Sequence, residues 1–150
     1  MKTIALNKRA SHDYHLLEHF EAGLVLSGQE VKAVKNNQIS IKGAFVTFSE
    51  NQPYLTNAHI SPYKFAGDLP GYQPDAPRKL LLKKSEIKTL LGKKQSQGLT
   101  IVPVKIFTNR RGLIKLDIAL ARGKKQFDKR ASIAEKETKR KIARSIREKG

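Results

Sequence analysis

Cysteine is absent from the 150 residues, so the chain forms no disulfide and offers no thiolate to a metal. That fits a reducing compartment. No apolar run approaches the roughly 18 residues that a helix needs to span a bilayer, and the start, Met1-Lys2-Thr3-Ile4-Ala5-Leu6-Asn7-Lys8-Arg9, is too briefly apolar for a signal peptide. The expectation is a soluble cytoplasmic protein. The glycines form neither a phosphate loop nor a dinucleotide fingerprint, which argues against two classes of nucleotide-dependent enzyme. Proline is scarce: four of the six residues, Pro62, Pro70, Pro74 and Pro77, fall between Ser61 and Arg78. Acidic residues are scarce as well, with 13 Asp and Glu against 30 Lys and Arg and a formal net charge of +17.

The positive charge is distributed unevenly. Residues 122–150 hold twelve basic and four acidic side chains, which leaves eighteen and nine for residues 1–121. A basic body with a more basic tail is laid out to meet a polyanion in two places, where phosphate neutralisation releases counterions. The expected organisation is a folded body over 1–121 and a tail over 122–150. In the tail Ala134, Thr138, Ile142 and Ile146 recur every four positions, surrounded by Lys136, Lys139, Arg140, Lys141, Arg144 and Arg147. Alone in water so charged a segment repels itself; against phosphates it can fold as a helix. Membrane binding would want aromatic or leucine anchors on that stripe, and no aromatic follows Phe127.

The body reads as mainly β with short helices. Leu16, Phe20, Ala22, Leu24 and Leu26 fall on even positions, the period of a half-buried strand. The segment 27–35, with Val31 and Val34 three apart, forms a short helix stopped at Asn36-Asn37. Ile39–Phe48 and Tyr54–Ile60 read as a hairpin turning at Glu50-Asn51-Gln52-Pro53. A second helix follows Lys84, with Ser85 as its N-cap, Ile87, Leu90 and Leu91 as its apolar stripe and Gly98 as its end; Gly92 weakens it. A final hairpin pairs Leu99–Thr108 with Leu113–Ala121, and Pro103 there demands an edge or a bulge. Five or six antiparallel strands with a helix before the last hairpin are the parts of an oligonucleotide-binding-like barrel. The proline-rich segment between carries Tyr63, Phe65 and Tyr72, expected to pin it to the body more than to stack on bases.

Catalytic and metal signals are weak. On a strand His15 and His19 share a face and His12 does not, a poor metal site, so no metal and no cofactor is expected. An acid–base pair for RNA cleavage could be drawn from His12 and His59, but no spacing requires it. Basic clusters are more informative: Asn7-Lys8-Arg9 before the first strand, Arg78-Lys79 and Lys83-Lys84 around Leu80-Leu81-Leu82, and Gly123-Lys124-Lys125 at the exit of the last one. Singly each is a solvated surface. Together they leave a nucleic-acid-binding protein as the leading reading, a ribosomal or ribosome-assembly protein among the alternatives.

Several motifs in series resemble one family. They are Asn7-Lys8-Arg9-Ala10-Ser11-His12-Asp13-Tyr14, Phe20-Glu21-Ala22-Gly23, Gly28-Gln29-Glu30-Val31-Lys32, Ile60-Ser61-Pro62-Tyr63, Arg78-Lys79-Leu80-Leu81-Leu82, Gly98–Lys105 and Leu120–Arg130. In this order they are similar to the small protein B family, the SsrA-binding proteins of bacterial trans-translation. Gln29 and Phe127 depart from the residues common there. The resemblance implies a non-enzymatic, monomeric adaptor that binds the tRNA-like domain of transfer-messenger RNA and enters the A site of a stalled ribosome in place of an anticodon arm. It implies RNA contacts from Asn7, Lys8, Arg9, Glu21, Glu30, Lys32, Arg78, Lys79 and Leu81. It assigns His12, Gly123, Lys124, Lys125, Asp128, Lys129 and Arg130 to the decoding centre, with Lys136, Lys139, Arg140 and Arg144 along the message channel.

Overall fold

A computed structural model describes residues 2–67 and 69–124. The chain opens with strand β1 (Lys2–Leu6) and the single-turn helix α1 (Lys8–Asp13). Strand β2 (Tyr14–Leu24) realises the period-two pattern, burying Ala22 completely and leaving His15, Leu17, His19 and Glu21 exposed. Helix α2 (Gly28–Lys35) starts at a capping box: the Ser27 hydroxyl accepts from the Glu30 N–H, and the Glu30 carboxylate accepts from the Ser27 N–H. It ends at Asn36, and Asn37 turns the chain with φ of 61°.

The strand expected over Ile39–Phe48 is two strands in two sheets. Strand β3 (Ile39–Ser40) stops at Lys42-Gly43, where Gly43 takes φ of 75°, and β4 (Phe45–Ser49) resumes in a new direction. The break lets Ile41 and Ala44, three apart, both reach the core, which an uninterrupted strand forbids. Its expected partner divides the same way, into β5 (Gln52–Thr56) and β6 (His59–Ile60) around Asn57 with φ of 64°. Between β4 and β5 the turn sits at Glu50-Asn51, both with positive φ, the geometry that matches strand twist. Pro53 therefore belongs to the strand, opposite Phe48. Having no N–H it cannot serve the neighbouring strand, and the Gln52 side-chain amide donates to the Leu80 carbonyl at 2.8 Å instead.

Strand β7 (Arg78–Leu81) precedes helix α3 (Lys84–Gln97), whose N-cap is Lys83 rather than Ser85, because Glu86 at the third helical position accepts from the Lys83 N–H at 3.0 Å. Gly98 ends α3 in the left-handed conformation as expected, and Leu90 of its stripe is fully buried. The last hairpin is β8 (Thr100–Thr108) and β9 (Ile114–Gly123), the latter running two residues past its expected end. Pro103 marks a bulge inside the sheet, not an edge.

Seven strands form one antiparallel sheet in the order β1-β8-β9-β2-β7-β5-β4, and β3 pairs with β6 separately. Edge strand β4 comes back against β8, so the sheet curls around its core without a hydrogen-bonded ladder joining β1 to β4 among the described residues. The interior is Ile41, Leu55, Ile60, Leu80, Ile101, Ile106, Leu116, Ile118 and Leu120, completed by Val34 of α2 and Leu90 of α3. A second small cluster, Ala10, Val102 and Ala121, seats α1 on β8 and β9.

Candidate nucleic-acid interface

The outward face of the curled sheet carries two rows of side chains that the register aligns. One runs Leu6, Lys105, Asp117, Glu21 across β1, β8, β9 and β2. The other runs Phe107, Lys115, Gly23, Leu81 across β8, β9, β2 and β7. With neighbouring strands about 4.8 Å apart, each row spans about 14 Å, the scale of a few nucleotides rather than a whole duplex. Lys79 lies two residues before Leu81 on the same exposed face, opposite Tyr54. The face is amphoteric: Lys105, Lys115 and Lys79 supply charge for phosphates, while Glu21 and Asp117 are acceptors. The His19 Nδ1 lies 3.0 Å from Asp117 Oδ1.

Gly23 shapes the second row. A Cβ placed there would stand 3.3 Å from the Leu81 Cβ, so the bare glycine lets the 53 % exposed leucine lie beside the strand. Next to it a groove of about 300 Å³ is lined by Leu26, Val31, Lys35, Leu81, Leu113 and Lys115, apolar at its floor and cationic at its rim. Such a groove accepts the apolar face of an exposed base with its phosphate turned to a lysine.

At the other end of β2 the chain termini of the body meet. The Asn7 side chain donates to the Pro103 carbonyl at 2.9 Å and its backbone N–H to Val104 O at 2.8 Å, so the β8 bulge anchors the entry to α1. Lys8 and Arg9 project from α1 and, with Leu6, Asn7 and Lys42, border a concavity of about 280 Å³. His12 is on α1, not on a strand, with Nδ1 2.9 Å from Asp13 Oδ1. Gly123 pairs with Tyr14, the Lys124 N–H donates to Asp13 O, and the Lys124 ammonium donates to Ser11 O. His12, Gly123 and Lys124, distant in sequence, thus meet where β9 leaves the sheet. Nine residues of β2 separate Tyr14 from Gly23, which puts this exit about 30 Å from the Leu81 groove.

Two residues expected as RNA contacts, buried Arg78 and partly buried Glu30, are bonded to each other within the body. Arg78 is 4 % exposed, and its guanidinium donates to Glu30 Oε2 from both Nε and Nη2, to the Ala58, Pro74 and Ala76 carbonyls and to the Tyr72 hydroxyl. The Tyr72 hydroxyl donates to Ile60 O at 2.8 Å. Glu30 is the anionic centre of this network. Burial pushes its carboxyl up, but bonds from the Ser27 N–H and Arg78 and the Arg78 charge outweigh that and hold it below the ordinary value. Burial raises the Tyr72 phenol; a bond to Gln29 opposes that, and the Glu30 charge adds to it. Arg78 and Glu30 therefore tie the loop over residues 61–77 to α2. A basic residue in a basic chain looks like a phosphate ligand; the sequence carries no sign that carbonyls surround it.

Lys32 is exposed, its Nζ 6.0 Å above the Tyr63 ring. Tyr63 and Tyr72 pin the loop, whereas Phe65 is exposed. Lys105, Lys115, Asp117 and Lys35 were not singled out in the sequence. The alternation of Lys115 and Asp117 with Leu116 and Ile118 marks them as outward-facing, but only strand order shows them beside Glu21 and Leu81. Lys125, Asp128, Lys129, Arg130, Lys136, Lys139, Arg140, Arg144 and the expected tail helix lie outside the described residues. Among the described residues no cluster of three or more His, Asp or Glu side chains could hold a metal, and no helix is long and apolar enough to cross a membrane. His19 and His59 each face an aspartate of their own, Asp117 and Asp75.

The fold and this face define a basic antiparallel β-protein of the oligonucleotide-binding-like class. A family model described as SmpB protein matches residues 4–148, and the chain belongs to that family. The SsrA-binding protein of Pseudothermotoga lettingae is 50% identical over 142 residues, covering 95% of each chain. That of Thermosipho africanus is 47% identical with the same coverage, and that of Trichodesmium erythraeum 42% identical over 98% of this chain and 94% of its own. A solved chain from a tmRNA-SmpB structure at the bacterial ribosome superposes with a TM-score of 0.65 at 45% identity, covering 81% of this chain and 84% of its own.

Proposed function

We propose that this chain is a cytoplasmic RNA-binding adaptor without catalytic chemistry: it binds the tRNA-like domain of transfer-messenger RNA and brings it to the A site of a stalled ribosome. The observation that carries this reading is the separation of two contact regions at opposite ends of β2. The outer face around Glu21, Lys79, Leu81 and Lys115 holds the folded RNA. His12, Gly123 and Lys124 face the decoding centre, and the tail beyond them runs into the vacant message channel. An adaptor must touch two large RNAs at once, and about 30 Å of strand between the regions allows that without a clash.

Leu81 separates recognition from stability. Because it is half exposed, Leu81→Ala is expected to shift unfolding by less than about 0.5 kcal/mol. It should nevertheless weaken binding of the tRNA-like domain by about tenfold, since the groove loses an apolar wall against a base worth roughly 1–3 kcal/mol. Filter binding beside thermal melting checks this; equal loss in both would mark Leu81 as structural. Phosphate contacts set the rest of the affinity. With about eight of them, binding should fall by three to five decades between about 50 and 200 mM salt, read from the slope of a log–log titration.

A further inference from the structure

The loop over 61–77 presents an aromatic pair of which one ring packs on the core and the other is used by neither the core nor the outer face of the sheet. Tyr63 and Phe65 meet edge to face, with centroids 5.5 Å apart and planes at 71°. Tyr63 packs against the core, and its N–H donates to Gln29 Oε1 at 3.1 Å. Phe65 stands 73 % exposed, the most exposed large hydrophobic side chain among the described residues. The Lys64 ammonium lies 4.8 Å from its ring centroid, and Lys32 stands over Tyr63. A phenyl ring serving only to pin the loop would be covered, as Tyr63 is. One held outward on a braced neighbour, with one cation over its own ring and another over the neighbour's, matches a planar partner that carries negative charge. A lipid surface would need more apolar area than one ring.

We propose that Phe65, braced by Tyr63, with Lys64 over its own ring and Lys32 over that of Tyr63, is a stacking site for one unpaired nucleobase, apart from the sheet face. The inference rests on the RNA-adaptor reading above and adds a second kind of contact to it. The base belongs either to the tRNA-like domain or to ribosomal RNA; both offer the same chemistry. Stacking supplies sequence-tolerant affinity, and the lysines take the neighbouring phosphates.

The chain has no tryptophan, so Phe65→Trp in the full-length protein gives an emission signal from this position alone. Adding a transcript of the tRNA-like domain, or ribosomes with an empty A site, should quench that emission and reduce its access to acrylamide. The arm that quenches identifies the source of the base. Against the same RNA, Phe65→Ala should bind about 5- to 100-fold more weakly with an unchanged salt slope. Lys64→Ala should lower the slope by about one. Because the ring is exposed, the melting temperature of Phe65→Ala should stay at the wild-type value. If gel mobility shows both RNAs bound while the emission stays constant and Phe65→Ala binds like wild type, the site does not exist. Equal quenching by a polyglutamate peptide would overturn it in favour of an acidic protein segment. A chain that binds neither RNA would refute the adaptor reading itself, and the stacking site with it.

Discussion

Deleting residues 132–150 is expected to leave binding of the tRNA-like domain within about threefold of the full chain at physiological salt, because the proposed contacts lie on the body and the lost lysines add only screened, non-specific attraction. The same deletion should abolish peptide tagging on ribosomes stalled at the end of a truncated message. The division follows from the two ends of β2: Leu26, Val31, Lys35, Leu81, Leu113 and Lys115 line the groove, whereas Tyr14 and Gly123 pair at the opposite end of the strand. Binding by filter assay and tagging by incorporation of labelled amino acid measure the two halves separately. If both fall together, the tail is part of the primary RNA site and the two-region account is wrong.

Arg78→Ala should be the most damaging single substitution in the body. It strips Glu30 of its partner and leaves the Ala58, Pro74 and Ala76 carbonyls short of a donor. Breaking a buried pair from one side costs about 3–5 kcal/mol, so the melting temperature should drop by on the order of 10–20 °C. Arg78→Lys should recover little, since a point charge cannot reproduce the planar fork that serves Glu30 and several carbonyls together. A phosphate ligand would behave otherwise: stability unchanged and the salt slope reduced by about one.

The pH dependence has a definite sign. The Glu30 carboxyl is held below its ordinary value, so its contribution is present above about 4.3, where the unfolded glutamate is ionised, and is lost as pH falls through the folded value. The Tyr72 phenol is shifted the other way, so its contribution is present below about 10 and lost as pH rises through the folded value. Glu30→Gln should flatten the acid limb of a stability–pH curve and, because the Glu30 charge helps to raise the Tyr72 phenol, shrink the alkaline limb as well.

What could be read from the sequence followed from how local its cause is. The period-two run that starts at Leu16, the helix stop at Asn36-Asn37, the stop at Gly98 and the hairpin around Asn109–Gly112 each depend on a few adjacent residues, and each is present in the fold. The hairpin over Ile39–Ile60 was legible only at its β4–β5 turn; Gly43 and Asn57, which divide each arm between two sheets, look like ordinary polar breaks. β1, α1 and β7 were missed as elements. β1 and β7 are short, and their role comes from neighbours far away in sequence: β7 fits between β2 and β5, and β1 covers β8. For the same reason the family motifs point to Glu21, Lys79 and Leu81 as expected contacts, while Lys105 and Lys115 become visible beside them only once strand order aligns the rows. Arg78 is the reverse case, a residue whose charge implies the surface and whose surroundings are carbonyl oxygens.

The central claim is that this chain recognises one folded RNA and does not merely neutralise phosphate. The most direct test is equilibrium binding of the full chain to purified transfer-messenger RNA at physiological salt, with unlabelled elongator transfer RNA as competitor. Specific recognition predicts a complex that survives about a 100-fold excess of competitor, because shape and base contacts add orders of magnitude to the charge term. Displacement by an equal amount of transfer RNA would contradict the account and leave only a basic protein that binds any RNA it meets.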